Sequence, residues 1–305
     1  MGKKLLYLVL SVFLSVPVFS QKPKQHEKDT NKGVELFFNA GMYLGNKHNA
    51  NFYRGYPDPQ NSGYADPNIW YVLGNRYWKQ DIWDIIYERN HYDIIDTFFN
   101  FEGVSEMRYN LAFSFGIGLR YRFSESFSLS FLFSQTTLTA DGLATFGMQG
   151  TGVNLDQGIK YFDYKVMGRE RRIFFEMNAS YFFETIYPYV FPFLELGVHI
   201  NNAKVLKSEL IVEDIPFSMI NMYGEGTSYV PGIDPMVINP YLGGIGFGFV
   251  GGLGIKLSFN KWISLEPVVQ VSVEKLNLSS YGTMRPNFNF MVRLVAGDRL
   301  FEKKQ

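Results

Sequence analysis

Apolar and polar residues alternate over long stretches of this chain, most clearly between Met107 and Phe123. Every odd position in that run is apolar, and every even position is small, polar or charged. Successive side chains of a β-strand point to opposite faces, so the pattern predicts one strand with an apolar and a polar face. An average strand has only about 5–6 residues. The length fits a strand that crosses a bilayer obliquely and continues into water.

Similar alternation recurs along the chain, and the sequence predicts eight strands. Their approximate ranges are 34–44, 107–123, 127–138, 172–183, 190–200, 245–259, 263–274 and 288–294. Connections after the second, fourth and sixth strands are only a few residues long. The large loops are predicted at about 46–106, 139–170 and 202–243, with a further loop before the last strand. Short turns on one side and long loops on the other are typical of outer-membrane barrels. The predicted fold is all-β: an eight-stranded antiparallel up-and-down transmembrane β-barrel with long extracellular loops.

This arrangement of strands and turns resembles the eight-stranded outer-membrane barrel families of the OmpA and OmpW type, in a form common in Bacteroidota. The resemblance covers about half of the mature chain and concerns pattern alone, so it implies a porin-like architecture and location but no activity. Such barrels usually finish on an aromatic residue, whereas Phe301 is followed here by residues 302–305 (EKKQ).

The alternative architecture is a soluble barrel with its apolar face inward, as in a lipocalin. Eight strands enclose an interior just wide enough for side chains to fill it. Turning the apolar faces inward would place on the order of fifty bulky side chains there, which do not fit. The sequence therefore predicts that the apolar face contacts lipid and that barrel closure satisfies the backbone hydrogen bonds.

The polar face then lines the lumen. The predicted lumen charge network consists of Arg108, Arg120, Arg122, Glu176, Glu195, His199, Lys256, Glu266, Glu274 and Arg293. Opposite charges in a narrow interior must pair, because an unpaired buried charge costs several kcal/mol. We expect Glu266 to pair with Arg293, and Arg120 or Arg122 to pair with Glu184. Two interpretations stay open: a filled lumen, or a narrow gated channel for small solutes.

The first loop is unusually rich in aromatic residues. Residues 80–88 (QDIWDIIYE) predict a short helix, so the loop contains helical segments. Since Trp and Tyr dominate interface hot spots, we take four residues as candidates for contact with a partner protein or a surface glycan. They are Trp70, Tyr71, Trp78 and Trp83. The alternative is that the loop caps the barrel and packs on itself. The third loop, which includes Met219, is predicted to pack against it.

Composition and targeting support an exported protein. Residues 1–20 have the charged, apolar and small-residue regions of a signal peptide, with cleavage predicted near Ser20. Residues 21–32 are a predicted flexible periplasmic lead-in, and residues 33–305 the barrel. The chain has no cysteine, which excludes disulfides, thiolate metal sites and lipoprotein attachment. Its 29 basic and 29 acidic residues are balanced, so nothing indicates nucleic acid as a partner.

Catalytic signals are weak. None of the common nucleophile, zinc, phosphate, dinucleotide or calcium motifs is present, and the sequence predicts neither a cofactor nor a metal site. His199 and Glu195 share a strand face but lie about 13 Å apart along it, too far for a direct hydrogen bond. The favoured function is a non-enzymatic outer-membrane anchor and interaction module, such as an accessory subunit of an envelope or secretion machine. A narrow channel and a lipid-modifying enzyme remain alternatives.

Overall fold

The computed structural model describes most of the predicted barrel. The described residues are 33–55, 66–90, 92–94, 100–150, 159–187, 189–220, 242–259, 263–278 and 281–297. The predicted signal peptide (1–20), the lead-in (21–32) and Phe301 lie outside them, as does the predicted third loop between residues 221 and 241.

Eight long strands close into a ring. In chain order the described strands are β1 Gly33–Leu44, β2 Tyr92–Ile94, β3 Asn100–Val104, β4 Arg108–Tyr109, β5 Ala112–Arg122, β6 Phe127–Gly150, β7 Ile159–Phe182, β8 Val190–Val212, β9 Ile215–Ser218, β10 Gly243–Ser258, β11 Ile263–Lys275 and β12 Arg285–Gly297. Going around the ring, β1, β5, β6, β7, β8, β10, β11 and β12 pair antiparallel, and β12 pairs back with β1. The predicted eight-stranded antiparallel up-and-down barrel is confirmed.

The two faces of the barrel wall have opposite character. Large apolar side chains point outward, for example Phe113 at 63%, Phe175 at 57% and Leu196 at 60% exposure. The end with the short connections, here called the turn end, carries exposed aromatic residues such as Tyr181 and Phe183. The inward face carries glycine, serine and charged residues. The predicted orientation is therefore confirmed, and the outward apolar band is called the belt below.

Three strands rise well beyond the belt at the other end, the loop end. β6 continues to Gly150, β7 starts at Ile159 and β8 continues to Val212. The regions 139–170 and 202–243, predicted as loops, are thus strand over much of their described length. The reason is that the inward face turns apolar there, with Leu138, Ala140, Ala144 and Phe146 all buried, while the outward face becomes largely polar. The alternation continues with its apolar and polar faces exchanged, and the predicted strands end where the faces exchange.

The first long connection packs onto the inner face of this extension. Its helices are α1 Lys47–Ala50, a 3-10 helix Asn51–Arg54, α2 Ile69–Leu73 and α3 Arg76–Asn90. The predicted helical segments are confirmed, and α3 extends the predicted helix over 80–88 at both ends. We call residues 47–55 and 66–90 the cap. Among the described helices, none is long and apolar enough to cross a bilayer.

A large hydrophobic core joins the cap to the strands. The cap contributes Phe52, Ile69, Val72 and Ile86 to it, together with residues from β6, β7, β8 and β9. Met219, from the predicted third loop, belongs to the same core, and its carbonyl accepts a hydrogen bond from the Asn68 amide at 2.8 Å. The predicted contact between the first and third loops is confirmed at this point.

The stretch from Met107 to Phe123 is one strand in the prediction and two in the structure. β4 and β5 both pair with β6, but their registers differ by one residue, which is a β-bulge. Because a slip of one residue turns every side chain to the other face, Met107 and Tyr109 are buried and Arg108 is exposed. The prediction that Arg108 lines the lumen is wrong.

Candidate functional site

The turn end of the lumen is filled by a cluster of paired charges. Arg120 donates to both oxygens of Glu266 at 2.7 Å and to Glu35 at 3.2 Å. Lys256 Nζ lies 2.9 Å from the Glu35 carboxylate, and Arg122 lies 3.6 Å from it. These side chains come from β1, β5, β10 and β11, so the cluster connects strands on different sides of the ring. Arg120 and Glu266 have no exposed side-chain surface.

A second ion pair lies nearby. Arg293 donates two hydrogen bonds to Glu195, at 2.6 and 2.8 Å, and both residues are fully buried. Glu266 and Arg293 are direct neighbours in the β11–β12 register, as the sequence suggested, but each forms its short contacts with a residue elsewhere in the ring. Their predicted pairing is wrong. The predicted partner Glu184 is exposed at the turn end, and the described contacts of Arg120 and Arg122 go to other groups.

The middle of the lumen is also filled. Glu176 accepts hydrogen bonds from Asn178 at 3.2 Å and from Gln270 at 3.1 Å. Nine of the ten predicted lumen residues are buried, and Arg108 is the exception. Side chains with little solvent exposure therefore line the described part of the lumen at successive levels.

The loop end of the lumen holds a network centred on the Glu274 carboxylate. Its donors are Tyr43 at 2.6 Å, Asn287 at 2.7 Å, His199 at 2.9 Å and Asn201 at 2.9 Å. His199 therefore contacts Glu274 over Gly248 of the intervening strand β10, and Glu195, on the same strand as His199, is paired with Arg293 instead.

Above the Glu274 network, toward the loop end, further polar contacts connect the barrel wall to the cap. Arg172 Nε donates to Glu170 at 2.6 Å, and Tyr53 of the cap donates its hydroxyl to the same carboxylate at 2.6 Å. Burial, and then the Glu170 charge, raise the pKa of Tyr53 well above its usual value, so the hydroxyl keeps its proton and remains a donor. The Tyr53 ring packs over Gly168, where a Cβ would overlap it. We call Tyr53, Glu170 and Arg172 the cap link.

Sequence reasoning missed Glu35, Glu170 and Arg172 as members of the interior network. Glu170 falls in the predicted loop 139–170, yet it continues the period of two that runs through Arg172 and Glu176 on the inward face of β7. This two-residue period is the signal in the sequence that places Glu170 and Arg172 on the inward face of the strand.

The four partner-contact candidates occupy different environments. Trp70 is 44% exposed on α2, whereas Tyr71, Trp78 and Trp83 are half-buried. Tyr71 and Trp78 meet edge to face at 5.4 Å between ring centroids, and Lys79 lies 4.8 Å from the Trp83 ring centroid. Trp78 and Trp83 also pack against the core. Tyr87 on α3 is 52% exposed and was not among the candidates.

The chain matches no protein-family model and no curated protein sequence. Among solved structures it is similar to Neisserial surface protein A, with a TM-score of 0.37 and 10% identity over 87% of this chain and 96% of that chain. For Ail, the attachment invasion locus protein of Yersinia pestis in complex with the heparin analogue sucrose octasulfate, the TM-score is 0.34 at 10% identity, over 87% and 98% of the two chains. For the outer membrane protein OprG from Pseudomonas aeruginosa it is 0.36 at 10% identity, over 88% and 95%. Similarities this low assign neither family nor function, and the description of the chain as an eight-stranded barrel rests on its own strand pairing.

Proposed function

We propose that this chain is an integral outer-membrane protein whose filled barrel anchors a rigid cap at the cell surface. In this proposal the cap is a non-enzymatic interaction module for a partner protein or a surface glycan, as in an accessory subunit of an envelope machine. The observation that carries the proposal is the combination of an apolar exterior with a charged interior, which is the reverse of a soluble barrel.

The belt supports the membrane location. On β7 it runs from Ile173 to just past the strand end at Phe183, about ten residues or roughly 33 Å along the strand. At the usual strand tilt this corresponds to a band about 25 Å tall, the height of the apolar band of outer-membrane barrels. Aromatic residues at the turn end fit the interfacial girdle of such barrels.

The filled interior supports an anchoring role for the barrel in preference to a channel. Two buried Arg–Glu pairs, Arg120–Glu266 and Arg293–Glu195, span the lumen, and the cap core covers its loop end. Stable single-channel conductance steps from purified protein in a planar bilayer would contradict the proposal.

The environment of His199 supports a non-enzymatic role. Its side chain is buried, and its Nε2 is occupied by Glu274 at 2.9 Å. A histidine acting as general base needs to reach a substrate proton directly or through one water. An altered membrane lipid profile that depends on His199 would favour the enzyme instead.

Replacing Met177 with Arg tests the membrane location. Met177 faces outward near the middle of the belt on β7, so we expect the variant to lower the free energy of unfolding in lipid by about 2–4 kcal/mol. Urea-dependent unfolding in phospholipid vesicles measures this. The matched control is Tyr181→Arg near the turn end, for which about 0–1 kcal/mol is expected. Equal costs at both positions, or mature protein that stays soluble without detergent, would contradict the proposal.

Site-specific crosslinking tests the interaction role. A photo-crosslinking amino acid at Trp70 or Tyr87, both exposed on the cap, is expected to capture one defined partner in intact cells. The control is the same amino acid at Ile186, which is 80% exposed at the turn end. Identical products from all three positions, or none from the cap positions, would count against the cap as the interaction surface.

A further inference from the structure

The outward face of β6, β7 and β8 changes abruptly from apolar to basic above the belt. Paired residues on the three strands form successive rows: Phe133, Phe175 and Ile200; then Gln135, Ile173 and Asn202; then Thr137, Arg171 and Lys204; then Thr139, Arg169 and Lys207. The first row is exposed and apolar, and the last two rows together carry four cations. These four, Arg169, Arg171, Lys204 and Lys207, are called the basic block.

A β-bulge places the fourth cation in this block. The register between β7 and β8 shifts between Arg169 and Glu170, so that Leu206 is the extra residue and Arg169 faces Lys207. Without the bulge, strict alternation from Lys204 would turn position 207 toward the interior. Both Leu206 and Lys207 are exposed in the structure. Bulges commonly serve to re-aim a side chain, and this one adds a charge to the block.

The described carboxylates in the next outward row are held by lysines and not by the two arginines of the block. Glu209 pairs with Lys207 at 3.0 Å. Asp141, in the row directly after Thr139, Arg169 and Lys207, is engaged by Lys165 at 3.0 Å and by Asn110 at 2.6 Å. Within the described part of the chain, neither Arg169 nor Arg171 forms an ion pair with a carboxylate. Arginine side chains suit phosphate because their planar forks bind its oxygens bidentately.

We propose that the basic block binds the phosphate group of a lipid head group in the outer leaflet. The block begins two residues above the last apolar position of β7, about 7 Å along the strand, which is where head-group phosphates meet the belt. The exposed Leu206 within it offers an apolar contact for the adjoining chain region. The inference rests on the proposed function, because it requires the belt to lie in a membrane.

Native mass spectrometry of the full chain in detergent micelles tests the site. Titration with diphosphoryl lipid A is expected to give one retained lipid per protein. The variant Arg169→Gln/Arg171→Gln should bind it at least about tenfold more weakly, since each cation near a membrane surface contributes to anion attraction. The control Arg76→Gln/Arg89→Gln removes the same charge from α3 on the cap and should leave binding unchanged. A neutral diacyl glycolipid should not be retained.

Two further measurements separate the possible outcomes. Inorganic phosphate at the lipid concentration is expected not to displace lipid A, and displacement would assign the site to free phosphate and overturn the proposal. Equal retention by the wild type and the Arg169→Gln/Arg171→Gln variant would also overturn it. Vesicle flotation is run in parallel, because loss of flotation rejects the proposed membrane function, whereas intact flotation without lipid retention rejects only this site.

Discussion

Replacing Arg120 with Ala is expected to lower the free energy of unfolding by about 3–5 kcal/mol. Arg120 donates both hydrogen bonds that hold the Glu266 carboxylate, and neither side chain is exposed. Removing the guanidinium leaves a buried charge without its main partner, and the desolvation penalty of that charge is no longer offset. Urea-dependent unfolding in vesicles and the loss of heat-modifiable mobility on unboiled gels measure the change.

The double variant Arg120→Met/Glu266→Met is the matched control. It removes both charges and fills the space with apolar side chains, so it should recover most of the stability lost by Arg120→Ala. Glu35 keeps Lys256 at 2.9 Å in this variant. A double variant as unstable as the single one would show that packing, and not the unpaired charge, accounts for the loss.

Replacing Arg172 with Ala is expected to cost a similar 3–5 kcal/mol and, in addition, to loosen the cap. Arg172 supplies the cation next to Glu170, the acceptor for the Tyr53 hydroxyl of the cap. Without it the buried Glu170 charge is held by a neutral donor alone. Limited proteolysis of the cap should then proceed faster than in the wild type, while the barrel remains resistant to protease.

Tyr53→Phe separates the contribution of the cap hydroxyl from that of the ion pair. It removes one hydrogen bond to a charged acceptor and keeps the ring packed over Gly168, so about 1.5–3 kcal/mol is expected. If Arg172→Ala lowers barrel stability but leaves the rate of cap proteolysis unchanged, the cap link stabilises the barrel alone. The rigid cap of the proposed function would then need another source of order.

The alternation of residues was sufficient to predict the barrel. Faces are set by the two-residue period of a strand, and the volume of an eight-stranded ring decides which face points inward. Hence the outward placement of residues such as Phe175 and the burial of residues such as Glu266 follow from local pattern and one packing argument. The helix in the first loop could be predicted for the same reason, because its apolar spacing is local.

Errors arose where local pattern carries no information about register or partners. The pattern predicts Arg108 inside the lumen because the bulge between β4 and β5 does not interrupt the alternation in the sequence. Glu266 and Arg293 are adjacent in register, yet a buried charge takes whichever partner reaches it across the lumen, and that depends on all eight strands at once.

By itself, the sequence determined which segments are strands in the belt, which face of each is apolar, and that the ring has eight members, since these depend on residue periodicity and volume. Only the tertiary structure decided the pairing of the lumen charges, the length of the loop-end extension and the seating of the cap on Glu170. Those features depend on contacts between residues far apart in the chain. The alternation of residues within one strand contains no information about such contacts.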